Sequence, residues 1–318
     1  MGGTIFYYSI AGGSPAWGRI SLPQGTLGEL ATDGNDLYAL VFPSGEPLNA
    51  SAVRRYNLSS NSWDANYSLN GYSIQSLYGT GNKIFAGAQH YSNYQNFGIL
   101  YLDFSLNSFT VVKYGTSLLK GAALGSDGIY LATAGDGLLL FNESSLTTSQ
   151  VGNSAGVIFT GLTNLAGTLI AVTGDGAIYY NGPGGFSQVS TGVSYTGAMC
   201  VWQDRKNQWR PSLLLLGVRG SSSTHGYQEM ILNNGTPTFS FKTPGDGTPT
   251  SVANKAKYEA SIRTHPVESI LQLADFSSGG PIHYRDFTDD PEWEPPIFAS
   301  TSMNGLWSYR NGEWNAED

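Results

Sequence analysis

The chain has 318 residues, of which 40% are hydrophobic and only 13% are charged, and its formal net charge is −8. Such low charge, combined with 41 glycines, is typical of many short strands joined by tight turns. The 16 basic residues form no cluster, which disfavours nucleic acid and anionic membranes as partners, because both require concentrated positive charge.

Apolar runs bounded by Gly, Asn and Asp predict short strands along the whole chain. Residues 4–10 and 16–22 predict a first hairpin. Four-stranded units are then predicted at 27–67, 72–114, 118–151, 156–189 and 193–242. A less regular unit ends the chain, with a helix at 252–262, a strand at 269–276, a proline- and acid-rich insertion at 279–296, and strands from 297 to Trp314. No apolar run approaches the roughly 20 residues of a spanning helix, so no transmembrane segment is expected.

One segment, residues 132–142, returns as residues 171–181 and again as residues 299–312. Each copy has an apolar run, a small turn with Gly and Asp or Asn, and a second apolar run, which predicts a recurring β-hairpin. Six full units and the partial N-terminal unit predict an all-β protein, a β-propeller of seven four-stranded blades, with six or eight remaining open. We expect a single domain over residues 1–318, closed by pairing of the N-terminal hairpin with the C-terminal blade.

Two further segments, residues 56–63 and 102–109, share a strand, a polar turn with Asn and an aromatic residue on the next strand. They resemble the kelch-type junction between outer strands. The Gly-Asp-Gly turns resemble the repeats of bacterial periplasmic sensor propellers, and residues 305–314 are similar to the close of uncharacterised bacterial lipoproteins. The resemblance implies a propeller fold and an exported bacterial setting, and it implies no activity.

Composition also favours an exported protein, whether periplasmic, a cell-surface lipoprotein or secreted, and the Met1-Gly2-Gly3 start suggests that a signal sequence has been removed. The single cysteine, Cys200, has apolar neighbours in sequence and is expected to be a buried, inert thiol. It allows neither an internal disulfide nor a Cys-based zinc site.

Catalytic and metal-binding patterns are weak. The four histidines form no close pair, and the Gly-Asp-Gly turns lack the repeated acidic spacing of a calcium loop, so no metal or cofactor is expected. The predicted first strands at 72–77, 118–124, 156–162 and 193–201 carry Lys120 as their only ionisable side chain apart from tyrosine hydroxyls and Cys200. Carboxylates crowd into residues 286–294, which leaves a propeller-fold glycoside hydrolase or lyase, acting at the central mouth, as the alternative function.

Aromatic residues in long loops are the better functional signal. The loops are residues 90–97, 202–210 and 279–296, and their rings are flanked by amide and guanidinium groups. The candidate binding residues are His90, Tyr91, Tyr94, Trp202, Arg205, Trp209, His283, Arg285 and Trp293. Such groups suit stacking on sugars or docking of a partner chain, although the rings can equally cover exposed blade ends. The sequence favours a monomeric, non-catalytic module that binds a protein or a glycan at the bacterial envelope.

Overall fold

The computed structural model describes residues 4–9, 16–22, 25–43, 51–182, 185–202, 212–220, 226–239, 266–272, 297–302, 305–310 and 313–317. These residues form strands, turns and bends, and contain no helix and therefore none that could span a membrane. The predicted helix at 252–262 and the insertion at 279–296 lie outside the described residues.

The chain divides into two compact units, Met1–Ile158 and Phe159–Asp318. The first unit begins with a hairpin of β1 (Thr4–Ser9) and β2 (Ala16–Ser21). Its first sheet is β3 (Thr26–Thr32), β4 (Leu37–Phe42), β5 (Ala52–Asn57) and β6 (Ser62–Tyr67). Its second sheet is β7 (Tyr72–Thr80), β8 (Lys83–His90), β9 (Phe97–Asp103) and β10 (Ser108–Gly115). Its third sheet is β11 (Leu119–Leu124), β12 (Ile129–Thr133), β13 (Leu138–Asn142) and β14 (Thr147–Gln150).

The second unit also contains three sheets. The first is β15 (Phe159–Leu165), β16 (Thr168–Thr173), β17 (Ala177–Gly182) and β18 (Gly185–Ser190). The next is β19 (Tyr195–Trp202), β20 (Leu213–Val218), β21 (Gly226–Asn233) and β22 (Thr236–Phe239). The last is β23 (Val267–Gln272), β24 (Ile297–Thr301), β25 (Leu306–Arg310) and β26 (Glu313–Glu317).

Each of the six sheets joins four consecutive strands in antiparallel order, which is the architecture of a β-propeller blade. We number the sheets blade 1 to blade 6 along the chain. The predicted unit boundaries are confirmed to within a few residues for blades 1 to 5, and the described residues form six blades, a count that the sequence left open, rather than the favoured seven. The hairpin that was counted as a partial blade is a two-stranded sheet of its own, and Ile5, Ile20 and Leu22 pack against β4 of blade 1.

All four strands of blade 6 come from the C-terminal part of the chain. Pairing of the N-terminal hairpin with that blade, like the single-domain organisation, stays a prediction. The second strand is the most buried strand in several blades: every residue of β12, β16 and β20 is buried. Strands that are buried along their whole length pack on both faces, as the inner strands of stacked sheets do. Cys200 is buried in a cluster with Leu215 and Tyr227, as the sequence predicted.

The recurring hairpin is confirmed in three copies, which join the second and third strands of blades 3, 4 and 6. A threonine ends the second strand in each copy: Thr133, Thr173 and Thr301. The hydroxyl of Thr133 donates to Gly137 O at 2.8 Å, and Thr173 and Thr301 make the equivalent bond across their own turns. In each copy, the threonine hydroxyl thus bonds to the carbonyl oxygen four residues further on and stabilises the turn.

The segments that resemble kelch junctions are indeed the turns between third and fourth strands. In the turn of blade 2, Asp103 accepts hydrogen bonds from Ser105 N at 2.8 Å and Leu106 N at 3.2 Å, and Asn57 does the same in blade 1. Asn61 and Asn107 end these turns with φ of 53° and 52°. Asparagine tolerates this left-handed conformation better than most residues do, which explains why it recurs at this position.

Every first strand contains a β-bulge near its beginning. In five blades the bulge falls on an apolar residue, a polar residue and a Gly or Ser: residues 74–76, 119–121, 159–161, 195–197 and 267–269. The small residue permits close approach of the next blade, since a Cβ on Gly197 would lie 2.1 Å from Thr160 O. The bulges therefore fix how neighbouring blades of one unit pack.

Side-chain hydrogen bonds join the bulges of adjacent blades. Ser76 Oγ donates to Leu119 O at 2.9 Å, which links blade 2 to blade 3. Thr196 Oγ1 donates to Val267 O at 2.6 Å, which links blade 5 to blade 6. These bonds are buried or half-buried, and they supplement the apolar contacts between the sheets.

Candidate functional site

In a blade of consecutive antiparallel strands, connections leave the sheet at two ends. We call the upper end the one that holds the second-to-third and blade-to-blade connections, for example residues 91–96 and 68–71 of blade 2. The lower end holds the first-to-second and third-to-fourth connections, for example residues 81–82 and 104–107 of the same blade.

The predicted loop at residues 90–97 lies at the upper end of blade 2 and is held by backbone hydrogen bonds. His90 N donates to Asn96 O at 2.9 Å, and Asn96 N donates to Asn93 O at 2.9 Å. Tyr91 N donates to Gly71 O at 3.1 Å, which ties the loop to the connection that enters the blade. A loop fixed in this way presents its side chains with little loss of conformational entropy on binding.

An aromatic cluster covers this upper end. The His90 ring stacks on Tyr91 at a centroid distance of 5.8 Å and meets Tyr72 edge-on at 5.0 Å. Tyr94 is 71% exposed, and Tyr114, at the end of the fourth strand, is 69% exposed. Burial raises the pKa of Tyr72, and the nearby Tyr114 hydroxyl raises it further, so the Tyr72 phenol remains neutral at physiological pH.

The groups around these rings are polar and uncharged. Tyr91 OH donates to Asn70 Oδ1 at 3.3 Å, Gln89 Nε2 donates to Tyr94 O at 2.8 Å, and Ser92 Oγ lies 3.0 Å from His90 Nδ1. The segments 68–72 and 89–97 contain no carboxylate, lysine or arginine. Stacking and hydrogen bonding are therefore the chemistry that these two segments offer.

The structure brings together three of the nine predicted binding residues, His90, Tyr91 and Tyr94. For Trp202 it describes only the backbone, at the end of β19. The others, Arg205, Trp209, His283, Arg285 and Trp293, lie outside the described residues, in first-to-second connections of blades 5 and 6. Their role in binding stays a prediction.

Two members of the cluster were missed in the sequence. Tyr72 begins the first strand of blade 2 and Tyr114 lies near the end of the fourth, so they are 42 residues apart in sequence but meet at the same end of one sheet. Superposing the repeated units would have found them, because the start of a first strand and the end of a fourth strand always lie at the upper end.

The first strands also hold charged residues near the bulges. Besides Lys120 of blade 3, Glu29 lies on β3 and Glu268 on β23, two first strands outside the four for which the sequence predicted Lys120 as the only charged side chain. Leu77 N of blade 2 donates to Glu29 Oε2 at 2.6 Å. Burial raises the pKa of Glu29, while this hydrogen bond and the charge of Lys120 oppose the rise.

The Gly-Asp-Gly turn of blade 3 has a structural role. The Asp136 carboxylate accepts hydrogen bonds from Ser117 Oγ at 2.8 Å, Ser117 N at 3.1 Å and Thr116 Oγ1 at 3.0 Å. It thereby holds the connection from blade 2 to blade 3 at the upper end. Within the part of the chain that the structure describes, no three His, Cys, Asp or Glu residues are grouped so that they could hold a metal ion.

The fold and this site define an all-β repeat protein of the propeller class with an aromatic upper end on blade 2. Among solved structures, the β-propeller domain of Cps50 (Swd1) from Myceliophteria thermophila is similar, with a TM-score of 0.56 and 8% identity over 99% of this chain and 90% of that one. A chain in the crystal structure of a mitotic checkpoint complex is also similar, with a TM-score of 0.51 and 12% identity over 93% of this chain and 82% of that one. No protein-family model and no curated protein matches the sequence. At these identities the likeness shows the fold.

Proposed function

We propose that the protein is a non-catalytic binding module that docks a partner protein on the aromatic cluster at the upper end of blade 2. The observation that carries the proposal is the exposure of Tyr94 on a loop held by backbone hydrogen bonds. Exposed, pre-positioned aromatic side chains dominate the binding energy of many protein interfaces. One of the similar structures is a chain of a mitotic checkpoint complex, which is consistent with a propeller that works by assembly.

The alternative of a glycoside hydrolase or lyase has less support. Such enzymes need two carboxyl groups about 5–10 Å apart. Among the described first strands, blades 1 to 3 contain one carboxylate, Glu29, and blades 4 to 6 contain one, Glu268. Glu29 already accepts a backbone hydrogen bond, so neither unit offers a carboxylate pair on its first strands.

The test is to select ligands for the whole chain from a displayed random-peptide library, screen the same protein on a glycan array, and compare Tyr94→Ala with wild type. We expect a selected peptide to bind at least about tenfold more weakly to Tyr94→Ala, which corresponds to about 1.4 kcal/mol. The melting temperature should stay within about 2 °C, because the side chain is mostly outside the core. Leu271→Ala, which removes a 60% exposed side chain on β23 of blade 6, outside the aromatic cluster, is the matched control.

Equal peptide affinity for wild type and Tyr94→Ala would contradict the proposal. Binding restricted to the glycan array, and lost in Tyr94→Ala, would instead support a glycan ligand at the same cluster.

An exported bacterial setting and a kelch-like relationship are also proposals. They rest on the low charge, the Asn-bearing turns and the resemblances in sequence. Protease accessibility of the protein on intact cells, with a cytosolic protein as control, tests whether the chain reaches the cell surface.

A further inference from the structure

A cleft opens between blades 2 and 3 at their lower end, away from the aromatic cluster. Its volume is about 430 Å³, which is enough for one or two large side chains. The cleft is lined by Lys83, Leu124, Asp127, Phe141 and Glu143, among others. Gly81 forms one wall, and its missing side chain leaves the Leu124 side chain uncovered, since a Cβ there would lie 3.5 Å from it.

Opposite charges meet in this cleft, with an excess of carboxylate. Lys83 forms an ion pair with Glu143, and the lysine is the more buried partner, with 18% of its side chain exposed against 57% for Glu143. Asp127 accepts a hydrogen bond from Tyr130 OH at 2.7 Å. Burial, followed by this bond and the charge of Asp127, raises the pKa of Tyr130 to about 12, so the phenol stays a donor and leaves the negative charge on Asp127.

The surface around the cleft is apolar and acidic. Leu124, which lines the cleft, is 50% exposed, and Leu58, Phe104 and Leu106, in the third-to-fourth turns of blades 1 and 2 at the same end, are 51%, 39% and 65% exposed. The carboxylates of the described lower ends of blades 1 to 3 are Asp33, Asp36, Asp64, Asp103, Asp127 and Glu143, against the cations Arg55 and Lys83. Among the described residues, the upper parts of the same blades hold Glu29 and Asp136 against Lys113 and Lys120, and Arg54 lies midway along β5.

We propose that the lower end of blades 2 and 3 docks a basic, leucine-containing segment of a partner protein. A lysine or arginine of that segment enters the cleft, where its aliphatic stem lies on Leu124 and Phe141 and its charge meets Asp127 and Glu143. Apolar side chains on either side cover Leu106 and Phe104. The negative charge makes nucleic acid and anionic lipid poor occupants, because both would be repelled.

The inference goes beyond the proposed function, because it places a second contact on the opposite end of the same blades. A chain that binds at both ends of its blades can join two partners. The failure of either site leaves the other unaffected, since the two surfaces share no residue.

The test uses the whole chain and a fluorescent synthetic peptide in which Arg and Leu alternate, with a second peptide that carries Glu in place of Arg. We expect the Arg peptide to bind, with an affinity that falls as salt rises, and the Glu peptide not to bind. Leu124→Arg places a positive charge in the cleft and should weaken binding at least tenfold. Asp127→Asn keeps an oxygen for Tyr130 and removes the charge, and it should weaken binding severalfold.

The matched control is Ile158→Arg, which adds the same charge at a 62% exposed position outside the lower end. Equal binding by Leu124→Arg and Ile158→Arg would show mere attraction to a chain of charge −8 and would overturn the proposal. Light scattering provides the second measurement: a wild-type dimer that dissociates in Leu124→Arg would mean that a second copy covers this surface, and the proposal would be wrong. Tyr94→Ala should leave binding of the Arg peptide unchanged, which separates this site from the upper one.

Discussion

Replacing Gly79 by alanine should destabilise the protein although the position is exposed. Gly79 lies on the first strand of blade 2, next to the first strand of blade 1, and a Cβ there would lie only 1.9 Å from Thr32 O. Carbon and carbonyl oxygen atoms normally approach no closer than about 3.3 Å. The two strands must therefore part by roughly 1.4 Å, because a backbone carbonyl in a sheet cannot rotate away as a flexible side chain can.

The size of the effect follows from this displacement. Over-packing usually costs about 1–3 kcal/mol, and a clash with backbone places Gly79→Ala near the upper value. Each kcal/mol lowers the melting temperature of a domain of roughly this unit's size by about 2–4 °C, so we expect a loss of about 6–12 °C. Gly34→Ala is the control: Gly34 has φ of +93° with no atom within 4 Å of the added Cβ, so only backbone strain of about 1 kcal/mol applies.

Calorimetry of the two variants and the wild type measures the melting temperatures, and circular dichroism checks that each variant keeps its sheet content. If Gly79→Ala melted no lower than Gly34→Ala, the first strands of blades 1 and 2 would not approach as closely as described. The reasoning about close approach at the bulges would then fail as well.

Two further perturbations test the links between blades. Ser76→Ala leaves Leu119 O without its side-chain donor and should lower the free energy of unfolding in urea by about 1–2 kcal/mol. Ser126→Ala, in an exposed turn, is the control and should leave it unchanged. Equal urea midpoints for the two variants would show that the Ser76 hydrogen bond does not stabilise the protein. Glu29 has a pKa above 4.5 in the folded protein, so the fold holds this proton where the unfolded chain has lost it, and the contribution of Glu29 to stability falls as pH rises from 4.5 through the folded value. Glu29→Gln, which keeps an oxygen for Leu77 N, should flatten that fall in urea midpoints measured between pH 4.5 and neutrality, and an unchanged slope would contradict the assignment.

The sequence predicted the blades well where turn chemistry is local. The Asp-Gly turns at 135–137 and 174–176 and the Asn-bearing turns ending at Asn61 and Asn107 each need only a few adjacent residues to specify them. Seven blades were favoured over six because residues 4–22 have the same strand pattern as a blade hairpin. Residues 4–22 differ from a blade hairpin in that Ile5 and Ile20 pack on β4. This is a tertiary contact, and a local sequence pattern does not predict it.

The candidate site was only partly predictable for a similar reason. His90, Tyr91 and Tyr94 were found because they interrupt a hairpin in one continuous segment. Tyr72 and Tyr114 join them only through the fold of the sheet, and Glu29 meets Leu77 only where blades 1 and 2 pack together. The lower cleft is open at Gly81 because glycine has no side chain to cover Leu124. The sequence alone does not distinguish Gly81 from any other glycine in a turn.

Because each blade is built from four consecutive strands, a blade can be gained or lost by duplication or deletion of one gene segment. Copying one contiguous stretch of the gene would add a complete sheet whose strands already have their neighbours, and deleting one would remove a sheet without orphaning a strand elsewhere. The hairpins of blades 3 and 4, in which residues 132–142 and 171–181 share 5 of 11 positions, are what a duplication of that kind followed by divergence leaves behind. After duplication, single connections diverge independently, so blade 2 has the aromatic loop at residues 90–97 whereas blade 3 has a short Gly-Asp-Gly turn at the same position.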